Sequence, residues 1–125
     1  MSKPKVLVID DEEIVRKSCK KCLTPEGYEV DVAPNAMEGL SLAEANRYDL
    51  ILTDLKMPDM DGMEFLIKVR ESQPEAKVIM ITGYSTVEYA VKAIRSGAYN
   101  YIEKPFTPDA LITAVKEALA EAEKR

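Results

Sequence analysis

Val6-Leu7-Val8-Ile9-Asp10-Asp11 runs from four consecutive apolar residues into two adjacent carboxylates. Unbroken apolarity over so short a run is the pattern of a strand covered on both faces, as in a parallel sheet. From Asp11 to Leu23 the spacing turns helical, through Ile14, Val15, Cys19, Cys22 and Leu23, and Pro25 with Gly27 ends the helix. Tyr28, Val30 and Val32 alternate with polar residues as a half-exposed strand does. Asn35 is placed to cap a second helix, whose apolar stripe is Met37, Leu40 and Ala43.

The same order recurs along the chain. Leu50 to Thr53 reads as a strand, a loop passes Pro58 and Gly62, and Phe65, Leu66 and Val69 mark a helix. Val78 to Ile81 is the next strand, and Val87, Val91 and Ile94 share one face of the helix that Gly97 stops. Tyr99 to Ile102 is the fifth strand; Pro108 and Asp109 open a last helix with Leu111, Ile112, Val115 and Leu119 facing inward. Five strands alternating with five helices predict an α/β fold with a doubly wound parallel sheet, because right-handed crossovers place helices on both faces. A flavodoxin-like strand order of 2-1-3-4-5 puts the first and third strands at the switch point. Asp10, Asp11 and Asp54 follow those two strands, while Thr82 and Lys104-Pro105 follow the fourth and fifth, so all are expected on one edge.

Bulk properties narrow the function. The chain has 125 residues, enough for one domain with a single core, and neither repeats nor low-complexity tracts suggest a second. Its 17 basic and 22 acidic residues are interspersed and give a net charge of −5, which argues against direct nucleic-acid contact. No apolar run approaches the roughly 20 residues that span a bilayer. The opening Met1-Ser2-Lys3-Pro4-Lys5 lacks a signal peptide's apolar stretch, so a cytoplasmic location is expected. Cys19 and Cys22 sit at i and i+3 of a helix in a chain without histidine, which favours a core role over redox or metal chemistry.

Three carboxylates within a few ångströms repel one another and call for a cation. Magnesium, with manganese as the alternative, suits hard oxygen donors; the lack of histidine disfavours zinc. A carboxylate beside such a cation can attack phosphorus, and phosphoryl transfer is mostly positioning and charge neutralisation. Lys104 would supply a second cation and Thr82 a hydroxyl, while the small Gly83 leaves room for the phosphoryl group. Capping of the first helix by Asp10 and Asp11 is the structural alternative, yet it explains neither Lys104 nor Thr82.

Together the segments Val8-Ile9-Asp10-Asp11-Glu12, Asp54-Leu55-Lys56-Met57-Pro58 with Gly62, Ile81-Thr82-Gly83, Gly97-Ala98 and Lys104-Pro105-Phe106 resemble the landmarks of receiver domains of two-component response regulators, nearly end to end. The resemblance implies the CheY-like version of the fold and phosphorylation of Asp54 by a sensor histidine kinase. It implies that Asp11 and Asp54 bind magnesium directly, that Asp10 acts partly through water, and that the backbone carbonyl of Lys56 completes the protein ligands. Thr82 and Lys104 would hold phosphoryl oxygens, Tyr101 would turn inward as Thr82 moves, and the Lys104-Pro105 bond would be cis. Lys56 and Tyr84, each two residues beyond a site residue, would border the path of hydrolytic water.

The resemblance further implies a switching face of helix 4, strand 5 and helix 5, for homodimer, output-domain or effector contact. The domain would be a phosphoacceptor that assists its own phosphorylation and dephosphorylation rather than an enzyme. The segment from Gly97 to Phe106 looks most like receivers of enhancer-binding transcription activators. Residues 118–125, rich in Ala, Glu and Lys, read as the start of a helical linker to an output domain.

Other classes fit less well. A magnesium-dependent phosphatase with an aspartyl nucleophile usually carries Asp-x-Asp after its first strand, where this chain has adjacent acids. A phosphorylation-independent interaction module should have lost a site residue, and none is missing. A flavodoxin-type electron carrier needs a phosphate-cradling loop where these acids stand.

Overall fold

The computed structural model describes residues 3–54, 56–83 and 87–123. Its elements alternate as the periodicity requires: β1 (Lys5–Ile9), α1 (Glu13–Leu23), β2 (Glu29–Ala33), α2 (Ala36–Ala45), β3 (Leu50–Asp54), α3 (Gly62–Ser72), β4 (Lys77–Thr82), α4 (Val87–Arg95), β5 (Asn100–Glu103) and α5 (Pro108–Glu123). The strands form one parallel sheet in the order β2-β1-β3-β4-β5. One element was not anticipated: within the loop after β3, Lys56–Met57 pairs antiparallel with Met60–Asp61.

Local chemistry explains the boundaries. The Asn35 side chain accepts the Glu38 backbone N–H at 2.9 Å and so caps α2. Thr107 Oγ1 accepts from the Ala110 N–H at 3.1 Å, with Pro108 at the first helical position of α5. After α1 the chain makes a short 3₁₀ turn, Thr24–Glu26, and leaves it through Gly27 at φ 94°.

Alternate residues of each central strand serve two separate cores. Val6, Val8, Leu50, Leu52, Ile79 and Ile81 pack with Cys19, Leu23, Leu111 and Val115 on the side of α1 and α5. Leu7, Ile9, Ile51, Val78 and Met80 pack with Phe65, Leu66 and Val69 of α3 and Ala43 of α2 on the other. Full burial of each large aliphatic side chain contributes about 1.5–3 kcal/mol. A strand covered on both faces must be apolar at every position, which is why the quoted opening run shows no alternation.

Several members of the helical stripes stay outside these cores. Ile14 is 72% exposed because the first turn of α1 begins beyond the end of β1, where no strand lies beneath it. Met37, in the corresponding first turn of α2, is exposed as well. In α4, Val91 and Ile94 are 40% and 46% exposed while Ala93 is buried, so its broad apolar stripe turns largely towards solvent. Among the described residues no helix is long and apolar enough to cross a membrane.

Candidate functional site

Strand register brings the distant segments together. Ile9 pairs with Thr53, so Asp10 leaves β1 beside Asp54 at the end of β3. Asp54 pairs with Ile81, and Thr82 pairs with Glu103, which sets Thr82 and Lys104 at the same edge. The Lys104 backbone N–H donates to the Thr82 carbonyl at 2.9 Å, and the Lys104-Pro105 peptide is cis. All the acids, the hydroxyl and the ammonium thus share the C-terminal edge of the sheet, the usual ligand side of open α/β folds.

Lys104 is the electrostatic centre. Its Nζ stands 2.8 Å from Asp10 Oδ2, 2.9 Å from Glu12 Oε1 and 3.1 Å from Asp54 Oδ2. Burial alone disfavours its charge, but the hydrogen bonds it donates to Asp10, Glu12 and Asp54 outweigh that effect and hold its pKa above the ordinary lysine value. Asp10 is only 2% exposed, and burial pushes its carboxyl above the usual range despite the Lys104 contact and a 2.9 Å bond from the Glu12 N–H. That bond gives the capping alternative a partial truth: Asp10 satisfies one donor at the start of α1, while the helix cap itself is Glu12, whose side chain makes no capping bond.

Asp11, Glu12, Asp54, Lys56, Met57, Thr82, Gly83 and Lys104 surround a cleft of about 480 Å³. Asp54 is buried at its floor and accepts the Lys56 N–H at 3.2 Å. Thr82 has no exposed surface, and Gly83 would accept a Cβ with nothing within 4 Å, so there is open space beside it. Tyr101, on β5 opposite Met80, is half-buried against the α2–α3 core, and burial raises its hydroxyl pKa. Tyr84 lies outside the described residues, as does Leu55.

The donor set fits a hard divalent cation. Asp10, Asp11, Glu12 and Asp54 each offer a carboxylate oxygen, all within 4.8 Å of one another, and among the described residues no histidine nitrogen or cysteine sulfur joins them. Glu12 is the residue that sequence reasoning left out. Its position after Asp10-Asp11 was the available signal, but an acid at a helix start is ordinarily a dipole partner.

Comparison with known proteins agrees with this geometry. The sequence profile of the response regulator receiver domain matches residues 6–116. Regulatory protein AtoC of Escherichia coli is 37% identical over 115 residues, covering 92% of this chain and 25% of its own length; the chain spans about a quarter of that relative. The crystal structure of a CheY-like receiver domain protein from Methanospirillum hungatei superposes with a TM-score of 0.94 at 42% identity, covering 98% of both chains. The solution structure of the beryllofluoride-activated NtrC4 receiver domain dimer matches with a TM-score of 0.90 at 39% identity, over 94% of this chain and 98% of that one. Fold, strand-end cluster and profile coincide: the chain belongs to the response regulator receiver domain family.

Proposed function

We propose that this domain accepts a phosphoryl group from a sensor histidine kinase on Asp54 and that the modification changes the face made by α4, β5 and α5. The observation that carries the reading is the contact of Lys104 with Asp54 and Asp10 at the floor of one open cleft. Magnesium, or manganese in its place, would be held by the carboxylates of Asp10, Asp11 and Asp54 and the Lys56 backbone carbonyl, and would neutralise phosphoryl oxygens. A carboxylate oxygen of Asp54 attacks phosphorus, the P–N bond of the phosphohistidine breaks, and its electron pair leaves with the imidazole. Lys104 and Thr82 then bind the new phosphoryl oxygens.

Thr82 shifts towards the phosphate, Tyr101 fills the space it leaves, and the α4–β5–α5 face changes population. Water later attacks phosphorus, releases inorganic phosphate and regenerates the Asp54 carboxylate; Lys56, which lines the cleft, borders its approach. The domain therefore assists its own phosphorylation and dephosphorylation and is not a turnover enzyme. The output is a second copy of the chain, an attached domain or an effector, reached through that face. The NtrC4 receiver dimer supports the first, and the partial coverage of AtoC supports the second. Residues 1–125 act as one receiver, and the end of α5 leads into an output module of the transcription-activator kind.

Donor docking has a candidate place beside the cleft. Ile14, Val15, Ser18, Cys22 and Phe106 line an adjoining groove of about 820 Å³, and Glu12 and Lys104 border both spaces. A kinase helix seated there would cover the exposed Ile14 and bring its phosphohistidine to Asp54.

The deciding experiment is acetyl phosphate with magnesium, read by intact-protein mass spectrometry. One phosphoryl adduct is expected on the native chain and none on Asp54→Asn. Undiminished labelling of that variant would overturn the assignment.

A further inference from the structure

At the opposite end of β4 from Thr82, roughly 16 Å away at about 3.3 Å per residue, a second cluster of charge has no part in phosphorylation. Lys77, the first residue of the strand, is only 8% exposed. Its ammonium lies 5.1 Å from the centre of the Tyr99 ring and makes no ion pair among the described residues. Arg70, near the end of α3, donates from Nη1 to the Ala76 carbonyl at 2.8 Å and likewise lacks a carboxylate partner.

These two cations line one small cavity of about 100 Å³ with Glu75, Ala76, Gly97 and Tyr99. Glycine suits position 97 on two counts. Its φ of 113° excludes most side chains, and a Cβ would come within 3.2 Å of Arg70 Nε, so glycine lets the guanidinium lie across the turn. Two cations that line one cavity without a carboxylate partner repel each other, and an anion between them offsets that repulsion. The volume corresponds to about three waters, room for a small oxyanion.

We propose that this pocket, between the end of α3, the start of β4 and the turn into β5, binds a small oxyanion of phosphate or carboxylate type. Arg70 supplies planar donors, Lys77 supplies a point charge, and the Tyr99 ring holds the lysine stem in place. Glu75 lines the same cavity without pairing with either cation and opposes entry by charge.

The test is a titration followed by ¹H–¹⁵N spectra, with inorganic phosphate in one arm and acetate in another, each against sodium chloride at equal ionic strength and without magnesium. Saturable shifts of the Ala76, Lys77, Gly97 and Tyr99 amides are expected in at least one arm. Lys77→Met should weaken binding about tenfold, the effect of losing one charged hydrogen bond. Glu75→Gln, at an exposed site safe for folding, should tighten it by about threefold. Shifts that chloride reproduces, or saturable shifts confined to Gly83 and Lys104, would overturn the proposal, as would affinity unchanged in Glu75→Gln.

Discussion

Lys104 Nζ lies 3.1 Å from Asp54 Oδ2, so the ammonium already holds the carboxylate proposed to become the acyl phosphate. It also binds the buried Asp10 at 2.8 Å, and one side chain therefore neutralises two strands' worth of acid. In the proposed reaction, phosphorylation would exchange one oxygen partner of Lys104 for another rather than recruit a distant charge.

Replacing Lys104 with Met leaves the acids without that cation. A loss of about 3 kcal/mol in urea unfolding with EDTA present is expected, as for removal of one partner of a buried pair. Magnesium should restore part of it by binding the folded form. Equal stability of variant and native protein in EDTA would contradict the central role given to this lysine.

The proposal that a kinase docks in the groove beside the cleft predicts a split between donors. Ile14→Asp changes an exposed side chain and should alter stability by less than about 0.5 kcal/mol. It should slow transfer from a phosphorylated histidine kinase by roughly tenfold, the scale of losing one interface anchor, while labelling by acetyl phosphate stays as in the native chain. Parallel slowing with both donors would place Ile14 in the site chemistry instead of the docking surface.

Gln73 is a buried polar tie at the other end of the sheet. Its Nε2 donates to the Asn46 carbonyl at 2.6 Å and to the Ala43 carbonyl, and its Oε1 accepts the Tyr48 N–H at 3.1 Å. Gln73→Leu strands those backbone groups, with an expected cost of about 2–3 kcal/mol. Chemical denaturation measures this, and acetyl phosphate labelling of the folded variant should be unaffected.

The two cysteines should differ in reactivity. Burial, then the charge of Asp10, pushes the Cys19 thiol up to about 12, whereas Cys22 is half-exposed on the groove beside the cleft. Iodoacetamide at pH 8 should modify Cys22 alone in the native protein and both after unfolding, as peptide mapping would show. Equal native rates would mean that Cys19 is not part of the core.

The central strands were legible because burial on both faces forces uninterrupted apolar runs, and the site was legible because parallel strands end in register. Asp10, Asp54, Thr82 and Lys104 could be grouped for that reason alone. Periodicity was less informative about α1, α2 and α4: it marks an apolar stripe without saying how much of it the sheet can cover, so Ile14, Met37, Val91 and Ile94 read like core residues. Glu12 and Gln73 escaped notice because single polar residues at helix ends are common, and their partners are fixed only by the tertiary fold. The Lys56 to Asp61 pairing is too short to leave a pattern.

The outward stripe of α4 has a mechanical meaning. Among the described side chains of that helix only Ala93 is fully buried, and one methyl anchors far less than the leucines and isoleucines elsewhere. A helix whose apolar stripe is largely exposed gives up little packing when it shifts, so a push of one or two kcal/mol, about the scale of a charged hydrogen bond, would suffice to resettle it in the proposed switch. In the proposed switch, the buried strands β1 and β3 under Asp54 would be the fulcrum, and α4, with its exposed apolar face, the lever.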